Sequence, residues 1–418
     1  MTASISDQNE AISFGCPAFQ KERRFDAYDR LRHEAPVYLD PLTGNYVVTR
    51  YADVRRILIN HRVFSNDAGM VGRSESPVKD IVEKIYLEKG PLPGRNLQTY
   101  DPPEHKIHRA PVDGAFNHWN VMALRDFMVE QANLFIDEFI DAGEVEFVSA
   151  FAIKFPLRIF ADQLGVAYDD APMLKLWADV AVEEINPVLT PEREIEIAHI
   201  LADMNAYYQR VLAEARAAPD DRLISKLVQM TGPDGEPLDL PELLIVLRAI
   251  VVAAGDTTTF AIAGGMKLLM ENPEIAEAIR TDPAKLDAFV DEALRIVSPV
   301  QTLFRRARED VEVAGCKIPK GAVIEARYGA ANHDPEMFGC PRQIDLNRQN
   351  GRVHLAFGVG VHVCPGLQLA RAEMQTGFAA LLARMCNLRP ARGADSFEYS
   401  SSYIANGPVK AYIAFDRR

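Results

Sequence analysis

Apolar residues along this chain recur mainly at spacings of three and four, the period of a helix with one buried face. Residues 121–142 carry the pattern, with Leu124, Phe127, Met128, Ala132, Phe135 and Ile136 on one side. The longest instance opens at Asp239-Leu240-Pro241-Glu242. A capping acid, a proline in the first turn and a glutamate behind it form a helix start. The pattern continues to Glu271, and Asn272-Pro273 stops it. The spacing therefore predicts a helix of roughly 30 residues, ~45 Å long at 1.5 Å per residue. Period-two segments are short: 44–50, 311–318, and 321–327 behind a Pro-Lys-Gly turn. Residues 330–352, rich in Pro, Gly, Asn and Asp, read as an ordered meander. A last helix runs from about Pro365 into the 380s. The prediction is a mainly α fold with a minor β-sheet and no internal repeat.

Composition adds bounds. The 418 residues contain no Ser/Gly run or charge block to mark a linker. The expectation is one domain over 1–418, with 1–14 as a flexible N-terminus. A hydrophobic fraction of 48% and a charged fraction of 25% allow a core large enough to hold a cofactor. The formal net charge of -13 argues against nucleic acid as a partner, which needs a basic face. The 5 cysteines are scattered, with no CxxC, which speaks against a disulfide framework or structural zinc. Reduced thiols suit the cytoplasm. The polar start MTASISDQNE resembles neither a signal peptide nor an anchor, and the apolar run 243–254 is interrupted by Arg248. No membrane association is expected.

The sharpest chemical signal is Phe357-Gly358-Val359-Gly360-Val361-His362-Val363-Cys364-Pro365-Gly366. Glycines there permit turns and close approach. Cys364 sits at the start of an amphipathic helix, where backbone N–H groups and the helix dipole favour a thiolate. Pro365 removes one such N–H. A free cysteine is ordinarily a buried, inert one, and this is the reading for Cys16, Cys316, Cys340 and Cys386. At Cys364 the spacing Phe-x-x-Gly-x-His-x-Cys-x-Gly changes the reading. There the chain resembles the cytochrome P450 family, over nearly its whole length from about Gly15.

That resemblance implies a cytochrome P450-like fold, with haem b held between the long central helix and the Cys-ligand loop. Cys364 is then the axial ligand to the iron, within a loop shaped by Phe357, Gly358 and Gly366. His105 and Arg109 lie at i, i+4 on one helix face. The resemblance makes them, with His362 and Arg305, the clasp on the haem propionates; Arg306 is the neighbouring alternative to Arg305. Glu292-Ala-Leu-Arg295, an i, i+3 pair, resembles the family's Glu-x-x-Arg element, with Arg348 as third member and a structural role.

The central helix contains Ala253-Ala254-Gly255-Asp256-Thr257-Thr258. Gly, Asp and successive Thr are poor mid-helix residues, and their side chains compete for backbone hydrogen bonds. Such a segment opens a helix locally, either as a kink with satisfied polar groups or as a groove for O₂ and water. The family carries a small-Gly-x-acid-Thr segment here, and this chain departs from it only in Ala254, where Gly is typical. The resemblance makes Thr257 a hydrogen-bond donor to oxygen and Asp256 the proton relay.

For substrate, the resemblance places the pocket walls near 66–100, 179–186, 248–252 and 298–304. Val252, Val297, Val300, Leu303 and Phe304 make these mainly apolar, suited to a small organic, aromatic or carboxylate-bearing molecule. Arg248 is a charge inside an apolar helix. It either pairs with an acid elsewhere in the chain or, with Arg73 or Arg95, binds a substrate carboxylate. No flavin or iron–sulfur motif is present in the sequence, so electrons are expected from outside the chain; the resemblance implies an iron–sulfur ferredoxin and an NAD(P)H-dependent reductase as their source. Docking is expected near Cys364, on Arg109, Arg352 and Arg371. The implied reaction is insertion of one oxygen atom from O₂ into a C–H bond, or O-dealkylation. The alternatives are a peroxide-using haem-thiolate peroxygenase or isomerase, and a non-catalytic haem-binding sensor.

Overall fold

The computed structural model describes residues 12–16, 19, 23–67, 76–92, 94–95, 97–184, 189–232 and 235–418. Helices dominate, with sheet at two edges. The larger sheet orders Val37–Leu39, Tyr46–Val48, Val323–Arg327, Thr302–Ala307 and Phe64–Ser65. Its pairings are antiparallel except for Tyr46–Val48 beside Val323–Arg327, where Val47 faces Glu325. The second sheet is built on the C-terminal strand Pro408–Arg417, which pairs with Phe397–Tyr399, Glu144–Glu146 and Met385–Pro390.

The start of the central helix follows its sequence. Asp239 accepts from the Glu242 amide at 2.8 Å, and the Glu242 side chain accepts from the Asp239 amide at 3.0 Å. This reciprocal box satisfies two otherwise orphaned donors. The expected single helix is in fact two, Leu240–Ala254 and Thr257–Glu271, separated at Gly255-Asp256. The two halves belong to different cores. Leu243, Leu247 and Val251 pack with Trp177, Leu201 and Tyr208. Ala261, Met266 and Leu269 pack with Phe151, Phe289 and Phe378. By length and composition Leu240–Glu271 could cross a membrane, yet 56% of its most apolar window is buried inside the molecule. It is a core helix of this fold.

Other expectations need adjustment. Residues 121–142 divide into His118–Ala123, Arg125–Asp137 and the short turn Ile140–Ala142. The segment 311–318 is not one strand but a hairpin, because Ala314 and Gly315 both take positive φ (48° and 79°) and turn the chain back. Ile12, Ser13 and Phe14, assigned to the flexible N-terminus, are buried, and Ser13 and the Phe14 amide bond Asp40. Residues 1–11 lie outside the described residues.

The meander after residue 330 is tied down as predicted. Glu292, buried, receives Arg295 at 2.7 Å, Arg348 at 3.0 Å and the Asp345 amide at 3.0 Å. Arg295 also donates to the carbonyls of Asn332 at 3.0 Å and Pro341 at 2.6 Å. One carboxylate and one guanidinium thus lock helix Lys285–Val297 to the chain that leads into the cysteine loop.

Candidate active site

The cysteine loop is a closed turn. The Cys364 amide donates to the Phe357 carbonyl at 2.9 Å, and the Gly358 amide to that of Leu355 at 2.9 Å. Gly358 and Gly360 take φ of +66° and +83°. At Gly360 a side chain is doubly forbidden, since an added Cβ would lie 3.1 Å from the Leu58 carbonyl of helix Tyr51–Ile59. The helix Leu367–Arg384 begins just beyond. Gly366 passes close to the sulfur, and the amides of Gly366 and Leu367 point toward it. The helix start alone was expected to favour the thiolate. Instead, burial pushes the Cys364 thiol up, outweighing those amides and the Arg109 guanidinium.

Beside this loop, four nitrogen-bearing side chains converge. His105 lies on helix Glu104–Ala115, and its ring centroid is 4.1 Å from that of His362. The buried Nε2 atoms of both rings lack a protein partner. Burial, then neighbouring cations, lower both; His362 falls to about 3, so both rings are neutral at pH 7. Arg109 is buried and donates through Nε to Asp113 at 2.6 Å. Arg305 is buried and hydrogen-bonds Tyr328 and the Phe304 carbonyl; among the described residues no carboxylate is in ion-pair contact with it, and the charge of Asp101 acts on it without such contact. Arg306 instead turns outward to the carbonyls of Asp67 and Gly321, at 3.1 and 2.9 Å. Of the two arginines, Arg305 is the one buried beside the histidines.

At the break in the central helix, Gly255 meets helix Ala171–Glu183. A Cβ on Gly255 would lie 2.3 Å from the Ala178 Cβ, so only glycine allows this crossing. Asp256 Oδ1 receives Lys175 Nζ at 2.9 Å, and Lys175 also binds Asp179. Burial and the Asp256 carboxylate push the Asp179 carboxyl up. The Thr257 hydroxyl donates back to the Ala253 carbonyl at 3.1 Å, the i−4 bond by which a threonine competes with its own helix. Beneath it Thr258 bonds Glu373, a buried acid on the helix after Cys364, raised by burial to about 8. Spacing alone did not single out Lys175, Asp179 or Glu373. The i, i+4 step Lys175–Asp179 was the only trace.

Ile245, Arg248, Val252, Ala253 and Asp256 form a less buried stripe on the central helix, beside fully packed neighbours such as Leu247 and Val251. Val300 is half-buried, and Leu303, the second residue of the larger sheet's Thr302–Ala307 strand, keeps 41% exposure. Arg248 pairs with Glu184, and Tyr86 completes the group, donating to Glu184 at 3.0 Å and accepting from Arg248 at 3.3 Å. An internal acid therefore already holds Arg248. Arg95 sits over the Tyr100 ring, and Arg73 lies outside the described residues. Of the three arginines expected at a docking face, Arg109 is buried and Arg371 is held by Asp291. Arg371 is partly exposed, and Arg352 is well exposed, though it too contacts Asp291 at 3.2 Å.

The sequence profile described as Cytochrome P450 matches residues 181–395. This chain belongs to the cytochrome P450 family. Among its relatives, Cytochrome P450 109 of Bacillus spizizenii is 30% identical, with coverage of 86% of this chain and 84% of the relative. 6-Deoxyerythronolide B hydroxylase of Saccharopolyspora erythraea is 28% identical over 92% of this chain and 94% of the relative. The solved structure of CYP109Q5 from Chondromyces apiculatus superposes with a TM-score of 0.84 at 27% identity, covering 97% of this chain and 98% of that one. As a P450 monooxygenase the protein uses haem, which the family holds between the central helix and the cysteine loop, and O₂ as co-substrate. The residues present fit that cofactor. The orphaned Nε2 atoms of His105 and His362 and the buried Arg305 guanidinium, which has no ion-paired carboxylate among the described residues, suit two buried propionates.

Proposed function

We propose that this P450 draws electrons from a ferredoxin and its NAD(P)H-dependent reductase, and oxygenates a small, apolar and uncharged organic substrate. The observation that carries the oxygenase reading is the chain Asp179–Lys175–Asp256, which reaches the helix break beside Thr257. Bound haem supplies the redox chemistry that activates O₂. Cys364 ligates the iron from the closed loop, and Arg305, Arg109, His105 and His362 hold the propionates. Asp256, paired with Lys175, relays protons at the break. Asp179, raised by burial, and Lys175 replenish it, and the half-exposed Asp179 side chain meets solvent. Once the Thr257 hydroxyl releases Ala253, it can donate toward dioxygen in the same opening. The apolar wall of Val252, Val300 and Leu303 orients the substrate. The Glu184 counter-charge on Arg248 favours neutral ligands over the carboxylates considered from sequence.

Two measurements test this. The reduced, carbon monoxide-treated wild type should give a red-shifted Soret band that Cys364→Ala loses; an unchanged band in the variant refutes the ligand assignment. Turnover should require NAD(P)H, reductase and ferredoxin. Equal turnover with hydrogen peroxide alone would favour the peroxygenase reading, and an inert ferric protein under both conditions would favour the sensor.

A further inference from the structure

Arg109 and Arg305 belong to one cluster, yet they are held in different ways. Arg109 gives its Nε to Asp113 at 2.6 Å, so a carboxylate already balances part of its charge. Arg305 has no such ion pair among the described residues. Its Nη1 donates to the Phe304 carbonyl at 2.7 Å, and its guanidinium also donates to the Tyr328 hydroxyl. Tyr328 is 3% exposed and packs in the core with Leu58, Phe64 and Leu355. A Cβ on Gly358 would lie 3.9 Å from its hydroxyl oxygen, so the same hydroxyl also abuts the cysteine loop. The backbone keeps it there. Tyr328 directly follows strand Val323–Arg327, in which Ile324 lies opposite Arg305. Its carbonyl accepts from the Asn332 amide at 2.8 Å, and the next amide, that of Gly329, donates to the Gln301 carbonyl at 3.2 Å. A side chain on Gly329 would collide with Gln301 Oε1, itself held by Tyr28 at 2.7 Å.

An acceptor that orients a buried guanidinium can be charged or neutral, with opposite consequences. A carboxylate fixes the group and cancels its charge. A phenol fixes it through a lone pair and leaves the charge for a third group. Burial pushes the Tyr328 phenol up, against the pull of Arg305, so the phenol stays neutral. Asp101 acts on Arg305 by its charge, without contact. A buried cation that lacks an ion pair is costly, and a carboxylate that docks on it removes the cost.

We propose that, given the assignment of Arg305 to a haem propionate, Tyr328 is the positioning residue of that clasp: its neutral hydroxyl holds the Arg305 guanidinium and leaves the whole charge to the propionate. In Tyr328→Phe the ring still fills the core, but Arg305 loses an acceptor and the pull of Asp101 draws it from the propionate. The test is spectroelectrochemical titration of the haem-loaded protein, with haem transfer to apomyoglobin as a second readout. Positive charge beside a propionate favours the electron-richer ferrous state and so raises the potential. Tyr328→Phe should therefore lower the midpoint potential and speed haem transfer about tenfold, the weight of one hydrogen bond to a charged group. Arg305→Gln should do both more strongly, and adding Tyr328→Phe to it should change nothing further. Tyr328→Gln, whose amide carbonyl is a neutral acceptor, should recover most of the potential. A potential that Arg305→Gln lowers and Tyr328→Phe does not overturns the proposal and leaves the propionate assignment standing. A potential unmoved by Arg305→Gln overturns the assignment itself and the proposal with it. Additive falls in the double variant, or a potential in Tyr328→Gln as low as in Tyr328→Phe, also overturn the role of the hydroxyl as acceptor. Should Arg305→Gln not retain haem, wild type and Tyr328→Phe are compared after reconstitution with haem dimethyl ester, which has no carboxylates. Equal potentials then support the proposal, and a difference as large as with haem refutes it.

Discussion

Replacing Glu184 by Gln removes the counter-charge of Arg248 while preserving the shape of the side chain. Both partners are almost enclosed, at 12% and 11% side-chain exposure. Two unit charges in contact attract by ~4 kcal/mol at an effective dielectric near 20. Removing one partner of such a pair typically costs ~3–5 kcal/mol, because the other is left buried and unpaired. Tyr86 still offers its hydroxyl to both positions, which places Glu184→Gln near the lower end, ~3 kcal/mol. Arg248→Met should cost a similar amount. The double variant leaves no buried charge and should return to within ~1 kcal/mol of wild type. The assay is urea unfolding of the haem-loaded protein, followed by Soret absorbance and tryptophan fluorescence. A ligand measurement accompanies it. In Glu184→Gln the freed guanidinium should improve binding of a carboxylic acid over its methyl ester by about tenfold, the equivalent of ~1.4 kcal/mol. Unchanged urea midpoints in the single variants would refute burial of the pair. Strict additivity in the double would refute its coupling, and an unchanged acid-to-ester ratio would show that Arg248 does not face the ligand.

Asp256→Asn keeps the contact with Lys175 but cannot pass a proton; kcat should fall by about 10²-fold with KM unchanged. Steady-state rates in H₂O and D₂O check this, and an unaltered kcat would transfer the proton route to Glu373. Glu292→Gln leaves Arg295 buried with no paired carboxylate among the described residues and should cost ~3–5 kcal/mol in urea unfolding. A loss below ~0.5 kcal/mol would mean that backbone carbonyls alone hold the meander. His333 has its pKa lowered from 6.5 to about 3 by burial. Its contribution to stability is therefore complete above pH 6.5 and is lost as pH falls toward 3. Between pH 7 and 5 it should account for ~2 kcal/mol of lost stability. His333→Phe should make that part of the urea-midpoint profile shallower, leaving the same-signed contributions of His354, lowered to about 4, and of His362, lowered to about 3. A profile as steep as wild type would exclude His333 as its source.

Much of this site was legible before any coordinates. The cysteine loop is local chemistry, with turns, a ligand and a helix start within ten residues, so its spacing is also its geometry. The Asp239–Glu242 cap and the Glu292–Arg295 pair are legible for the same reason. Where the reading fell short, a turn or a distant partner was at stake. Ala314-Gly315 folded an apparent strand into a hairpin, and Asp40 drew Ser13 and Phe14 into the core. The Gly-Asp-Thr-Thr segment announced a weak point in the central helix. Its division between two cores required both sets of packing partners.

The sequence by itself determined which chemical groups are present: a cysteine in a glycine loop, an acid next to a threonine at a helix defect, and a set of histidines and arginines. These follow from residue identity over a few positions, where the backbone admits few arrangements. Tertiary structure alone decided which charge meets which. Arg248 could have faced substrate or an acid, and the crossing of two helices brought it to Glu184. Asp256 could have stood open, and Gly255 let Ala178 approach until Lys175 reached it. Coulomb attraction depends on distance and on exclusion of water. Both are properties of how helices far apart in the chain pack together, and no local pattern carries them.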